Sequence, residues 1–137
     1  AQKIQINTEK LQSGVSNAKN TYVLFLPENE IHELGLLYLN YELVLRGNHT
    51  IYLGQSLPLN NLSYFFESDR KINFITSMTI RPYVDKVVEY FQEIDTILQG
   101  SKHSLIAIGS KTNDVQDIDF KSNISLYTSV KDLLKVL

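Results

Sequence analysis

Thr21-Tyr22-Val23-Leu24-Phe25-Leu26 is an unbroken run of β-branched, aromatic and aliphatic side chains, stopped by Pro27. A strand with one solvated face alternates polar and apolar residues. A run without that alternation fits a strand buried on both faces, the kind found in parallel sheets covered by helices. The stretch after it reads as such a helix. Asn29 or Glu30 opens it, and it runs to about Arg46 through Leu36, Leu37, Leu39, Tyr41, Leu43, Val44 and Leu45. Gly47 then stands where a helix C-terminus favours glycine.

Downstream the alternation repeats. Residues 49–53 read as a second strand, followed by Gly54 and a loop through Pro58, with Asn60 as cap of a helix to about Ser68. Residues 72–77 are a third strand. Pro82 suits the first turn of a long helix to about Leu98, in which Val84, Val87, Val88, Phe91, Ile94 and Leu98 recur at spacings of three and four. Gly100 closes it. Residues 104–108 and 124–127 are strands four and five, and Ser129 caps a last helix over residues 130–136. Five such alternations predict an α/β fold with a five-stranded parallel sheet and helices on both faces. With right-handed crossovers, the flavodoxin-like, Rossmann-like order 2-1-3-4-5 leads. In that order ligands sit at the carboxyl ends of the strands, near the switch between strands one and three.

Upstream, residues 1–20 are polar with scattered apolar positions and read as a linker or tail, with a short ordered stretch over residues 3–6. The domain is then residues 21–137. The chain begins with Ala rather than Met, and the expectation is a piece of a longer protein. The whole has 137 residues, 43% hydrophobic and 20% charged, enough for one domain with its own core. Cys is absent, which excludes disulfides, iron–sulfur clusters, thiolate zinc and cysteine nucleophiles. Thirteen basic residues against 15 acidic ones leave a net charge of −2, with no surplus to neutralise phosphates, so direct nucleic-acid binding is not expected. No apolar run approaches the roughly 20 residues of a membrane span, and residues 1–20 lack the apolar centre of a signal peptide. A cytoplasmic location is the expectation.

Three loops would share the crevice: Pro27-Glu-Asn-Glu-Ile-His-Glu-Leu-Gly35 after strand one, Ser77-Met-Thr-Ile-Arg-Pro82 after strand three, and Gly109-Ser-Lys-Thr after strand four. None is a P-loop, a Gly-x-Ser-x-Gly elbow or a Ser/Thr/Gly-rich flavin loop, and strand three does not end in a phospho-accepting Asp. Within them stand Glu30-Ile-His32-Glu-Leu-Gly35, then 41 residues, then Ser77-Met-Thr79, then 29 residues, then Gly109-Ser110. This resembles the cobalamin-binding domain family, whose pattern is acidic-x-His-x-x-Gly, Ser-x-small and Gly-Gly. Leu26-Pro-Glu-Asn-Glu-Ile-His-Glu-Leu-Gly-Leu-Leu37 with Ile51-Tyr-Leu-Gly-Gln-Ser-Leu-Pro58 looks most like the domain appended to MerR-type transcription regulators.

The resemblance implies cobalamin bound base-off, with His32 as the lower ligand of cobalt and Glu30 holding its other ring nitrogen. Gly35 would permit close approach, Ser77 and the neighbouring Thr79 would meet the displaced benzimidazole tail, and Gly109 would leave it room. Ser110 replaces the family's second glycine and would narrow that pocket. The upper face of the corrin would be covered by a helical bundle that this piece lacks, so the isolated piece is expected to fold but to hold cobalamin weakly and to be purified empty. The implied role is sensory rather than enzymatic. Ligand state would bias oligomerisation, and with it DNA binding by a separate N-terminal winged helix linked through a helical bundle. The rivals are a corrinoid-carrying subunit of a methyltransferase or mutase, and a degenerate interaction domain.

Structural roles compete with these. Glu30 suits a helix start, and Ser77 or Thr79 a cap. His49 and His103 read as surface residues beside glycine turns. Tyr38, Tyr41, Tyr52, Tyr64, Phe65 and Phe66 read as packing residues rather than a base-stacking platform, because interleaved Lys and Arg are missing. The run 64–66 could also be partly exposed as a contact surface.

Overall fold

Thr21–Phe25 forms strand β1, and all five of its residues are buried. It lies between β2 and β3 in a five-stranded sheet of order β2-β1-β3-β4-β5, with β2 at His49–Gly54, β3 at Ile72–Ser77, β4 at Ser104–Ile108 and β5 at Asn123–Tyr127. Every pairing is parallel. The helices are α1 (Leu34–Leu45), α2 (Val87–Leu98) and α3 (Val130–Leu134), and two 3-10 runs cover Leu59–Phe65 and Ser110–Val115. This computed structural model describes residues 20–54, 57–66, 69–79, 82 and 86–137. The flavodoxin-like order expected from the sequence is the order observed. The expected tail, with its ordered stretch at residues 3–6, lies outside the described residues except for Asn20.

Alternate residues of each central strand feed opposite layers, as a pleated strand requires. Val23, Phe25, Phe74, Leu105 and Ala107 pack with Leu59, Leu62, Val87, Phe91 and Ile94. Tyr22, Leu24, Leu26, Ile75 and Ile108 pack with Leu36, Leu39, Leu43 and Leu133. Both faces are therefore dry, which is why β1 reads as a continuous apolar run.

Helix boundaries correct the sequence in four places. α1 starts at Leu34, not at residue 29 or 30, because the chain first makes a turn closed by the Glu30 N–H on the Pro27 carbonyl (3.1 Å), with Asn29 at φ +68°. Its far end follows expectation. Gly47 at φ +87° donates to the Val44 carbonyl and Asn48 to the Leu43 carbonyl, a Schellman closure. The segment after Pro58 is a 3-10 run rather than an Asn60-capped α-helix; Leu59, Leu62 and Phe65 recur every three residues, the period of that tighter helix. α2 begins at Val87, so Pro82 stands outside it, and Val84 lies outside the described residues. The last helix ends at Leu134, yet the Ser129 Oγ accepts from the Asp132 N–H at 3.1 Å, the cap the sequence announces.

Single residues are corrected too. His103 is buried, only 3% exposed, not a surface residue. Its Nδ1 accepts the Ile72 N–H at 2.9 Å, and its ring lies 5.0 Å from that of Phe66. Tyr38 and Tyr64 are 45% and 87% exposed rather than packed, whereas Phe65 and Phe66 do lean on Phe74.

Candidate functional site

The turn at Pro27–Glu30 drives Glu30 inward, where its side chain is fully covered. A buried carboxyl group needs donors on both oxygens. Oε2 accepts from the backbone N–H of Ile31 (3.0 Å) and of His32 (3.2 Å), and it meets His32 Nδ1 at 3.0 Å. Oε1 accepts from the Thr79 N–H at 2.6 Å and the Thr79 hydroxyl at 2.8 Å. Glu30 thus ties the loop after β1 to the loop after β3 across 49 residues of sequence.

The geometry sets the tautomer of His32. A carboxylate only accepts, so the proton of a neutral ring is on Nδ1 and Nε2 presents its lone pair. The His32 side chain is half exposed, and Nε2 has no hydrogen-bond partner among the described residues. The imidazole is held from behind and open in front.

His32 stands on the wall of a cleft of about 600 Å³ at the carboxyl ends of the strands. Ile31, Glu33, Leu34 and Gly35 line it after β1, Ser77 and Thr79 after β3, and Ile108 and Gly109 at the end of β4. Glu33 is fixed there by the Tyr52 hydroxyl, which donates to it at 3.0 Å. Burial, and then this bond, raises the Tyr52 pKa. The three expected loops therefore converge, and the structure gathers Glu30, His32, Gly35, Ser77, Thr79 and Gly109 at one place. It does not bring Ser110 there: that residue is exposed at the start of the second 3-10 run and off the cleft wall, so its side chain does not narrow the cleft.

The three loop motifs do not announce a fourth wall. Thr128, Ser129 and Val130, between β5 and α3, complete the cleft. The signal was present in the strand order, which sets β5 beside β4 and so brings its carboxyl-end Thr-Ser pair to the same edge.

The two glycines of the cleft differ. At Gly109, φ is +122°, and an added Cβ would lie 2.1 Å from the Met78 carbonyl oxygen. The fold itself demands glycine there. At Gly35 an added Cβ would meet nothing closer than Val130 Cγ2 at 3.7 Å, an ordinary contact. A glycine in a helix costs about 1 kcal/mol relative to alanine, and nothing in the fold requires this one. It stands on the cleft wall one turn from His32.

A second cleft of about 480 Å³ opens on the other side of the sheet, between Pro27, Glu28, Pro58, Tyr90 and Glu93. Burial raises the Tyr90 pKa, with Glu93 and Glu28 adding to it. Among the described residues no three or more His, Asp or Glu side chains come together as a metal site. No helix of the described residues is long and apolar enough to cross a membrane.

The chain matches no protein-family model and no curated protein. Its fold is similar to that of the monomethylamine corrinoid protein of Methanosarcina barkeri, with a TM-score of 0.68 and 13% sequence identity. The match covers 97% of this chain and 63% of that one, so the chain spans less than two-thirds of that protein's length. At this identity the likeness is one of fold.

Proposed function

We propose that the cleft binds cobalamin base-off, with His32 as the lower ligand of cobalt, and that the domain is the ligand sensor of a MerR-type transcription regulator rather than an enzyme. One observation carries the first part: a half-exposed imidazole whose Nδ1 is held 3.0 Å from a buried carboxylate, with Nε2 unbonded among the described residues at the mouth of a cleft. A lone neutral nitrogen suits a metal that brings its other ligands with it, as a corrin does, and not an ion caged by protein alone. The cleft also fits the displaced tail. It offers hydroxyls at Ser77, Thr79, Thr128 and Ser129, apolar walls at Ile31, Leu34, Ile108 and Val130, and a residue without a side chain at Gly35.

In this reading Glu30 is the positioning residue. It fixes the tautomer and angle of His32, and through Thr79 it ties that angle to the end of β3. Cobalamin, when bound, would supply a cobalt centre open to ligand exchange, the change that a sensor would read. The regulator assignment rests on the resemblance of residues 26–37 and 51–58 to domains appended to MerR-type regulators. In the full protein, ligand state would then control oligomerisation and DNA binding by a separate winged helix, reached through a helical bundle of the same chain. A corrinoid-carrying subunit of a methyltransferase is the second reading, favoured by the similarity of fold to the methylamine corrinoid protein.

Visible titration with cobinamide, which lacks the tail, and with cobalamin separates the parts of the site. Cobinamide should show imidazole ligation that His32→Ala abolishes and Glu30→Gln weakens about tenfold. Cobalamin should bind base-off in the wild type. Unchanged spectra for both corrinoids at saturating concentration would remove the cobalamin reading. Methyl transfer supported by the loaded chain would replace the regulator with the carrier subunit.

A further inference from the structure

The cleft of about 480 Å³ lies on the opposite side of the sheet from His32 and shares no lining residue with the cleft there. The ends of three strands and one helix build it. Pro27 and Glu28 follow β1, Pro58 and Leu59 follow β2, and Pro82 follows β3. Tyr90 and Glu93 come from α2, three positions apart and so on one side of that helix.

Three groups of this cleft lack partners. Glu28 and Glu93 are exposed, and neither carboxylate is in an ion pair or a hydrogen bond among the described residues. No Lys, Arg or His is among the described residues that line the cleft, so nothing there offsets the two charges. The third group is independent of charge. Tyr90 packs its ring against the core, 6.3 Å from the ring of Phe91, and its hydroxyl oxygen is covered without a hydrogen-bond partner among the described residues. Buried hydroxyls are nearly always paired, because giving up water without gaining a partner costs stability. An unpaired one on a cleft wall is a group that a ligand would complete. Burial raises the Tyr90 pKa, and Glu93 and Glu28 add to it, so the phenol stays protonated and keeps a lone pair to offer.

We propose that this cleft binds a small aliphatic ammonium ion. An ammonium head carries three donors and no acceptor. The cleft offers acceptors without donors: two carboxylates and the phenol oxygen. The alkyl stem would lie against Pro27, Pro58, Leu59 and Pro82, walls that are apolar and already stiff. A metal ion fits less well, because among the described residues no three His, Asp or Glu side chains come together. Occupancy of this cleft does not depend on cobalamin.

Proton–nitrogen correlation spectra of the 137-residue chain, titrated with butylammonium chloride at constant ionic strength, test it. The backbone amides of Glu28, Leu59, Tyr90 and Glu93 should shift to saturation at millimolar concentration, and those of His32 and Ser129 should not. Neutral butanol should produce no saturable shift. Glu28→Gln combined with Glu93→Gln should weaken binding about tenfold or more. Tyr90→Phe separates a ligand site from a packing defect. Without ligand it should raise the melting temperature, because it removes an unpaired buried hydroxyl, and it should weaken butylammonium binding about fivefold to tenfold. Shifts that potassium chloride reproduces, or an unchanged affinity in the double glutamine variant, would overturn the proposal. So would an unchanged affinity in Tyr90→Phe, or a lower melting temperature for that variant, which would mean that the hydroxyl is already satisfied.

Discussion

Gly35 and His103 show how far one residue can depart from its local sequence. Gly35 sits in the first turn of α1, where an added Cβ would make only an ordinary contact with Val130, so the fold itself does not demand glycine. Gly35→Ala should raise stability by about 0.5–1 kcal/mol in urea melts, by helix propensity. The same change should weaken corrinoid binding. Unchanged affinity would mean that nothing occupies that space. His103 is a structural base at the other end of the sheet. Burial, and then the neighbouring Lys102 ammonium, lowers its pKa from the usual 6.5. The folded state therefore binds fewer protons than the unfolded one as pH falls. This contribution is complete above about pH 6.5 and is lost as pH drops through the lowered value. Protonation would also put a proton on the Nδ1 that accepts the Ile72 N–H. Urea midpoints between pH 7.5 and 5 should fall for the wild type and stay nearly level for His103→Phe, which is itself less stable by about 1–3 kcal/mol because it strands that N–H. Parallel profiles for the two proteins would contradict this account.

At the scale of elements, the site exists because several of them end at one edge in unusual ways. β1 gives way to a turn instead of a helix, which sends Glu30 inward and leaves His32 just before the first turn of α1. β4 is followed by Gly109, whose backbone passes so close to Met78 that the loops after β3 and β4 are locked together. The Gly109 N–H also donates to the Tyr127 carbonyl at 2.9 Å, tying in the end of β5. Gly109→Ala combines a backbone clash with a positive φ, and it should cost about 3 kcal/mol or more, read as a drop in melting temperature. A melting temperature within a degree or two of wild type would show that the loops do not meet as described. Ser110, one residue on, has no such constraint.

For the molecule as a whole, the legible parts were those written locally. Buried parallel strands are continuous apolar runs, so β1, β3 and β4 could be placed from residues 21–26, 72–77 and 104–108 alone, and their order followed from handedness and size. The caps at Gly47 and Ser129 were also local chemistry. The start of α1 was not, because it follows a turn that buries Glu30 against Thr79, a partner 49 residues away. His103 read as surface because its burial comes from Phe66 and Ile72, on other elements. The spacing of Glu30, His32, Gly35, Ser77 and Gly109 brought out most of the cleft, while its wall at Thr128, Ser129 and Val130 emerged only from the strand order. The central claim is that Nε2 of His32 is a ligand waiting for a metal that arrives with its own macrocycle. Electron paramagnetic resonance of the chain loaded with cob(II)inamide tests this most directly. With ordinary histidine the account predicts that each cobalt line splits into a triplet by one axial nitrogen. With ¹⁵N-labelled histidine each should become a doublet, and His32→Ala should abolish the splitting. Unsplit lines in the wild type, or a splitting that survives His32→Ala, would contradict it.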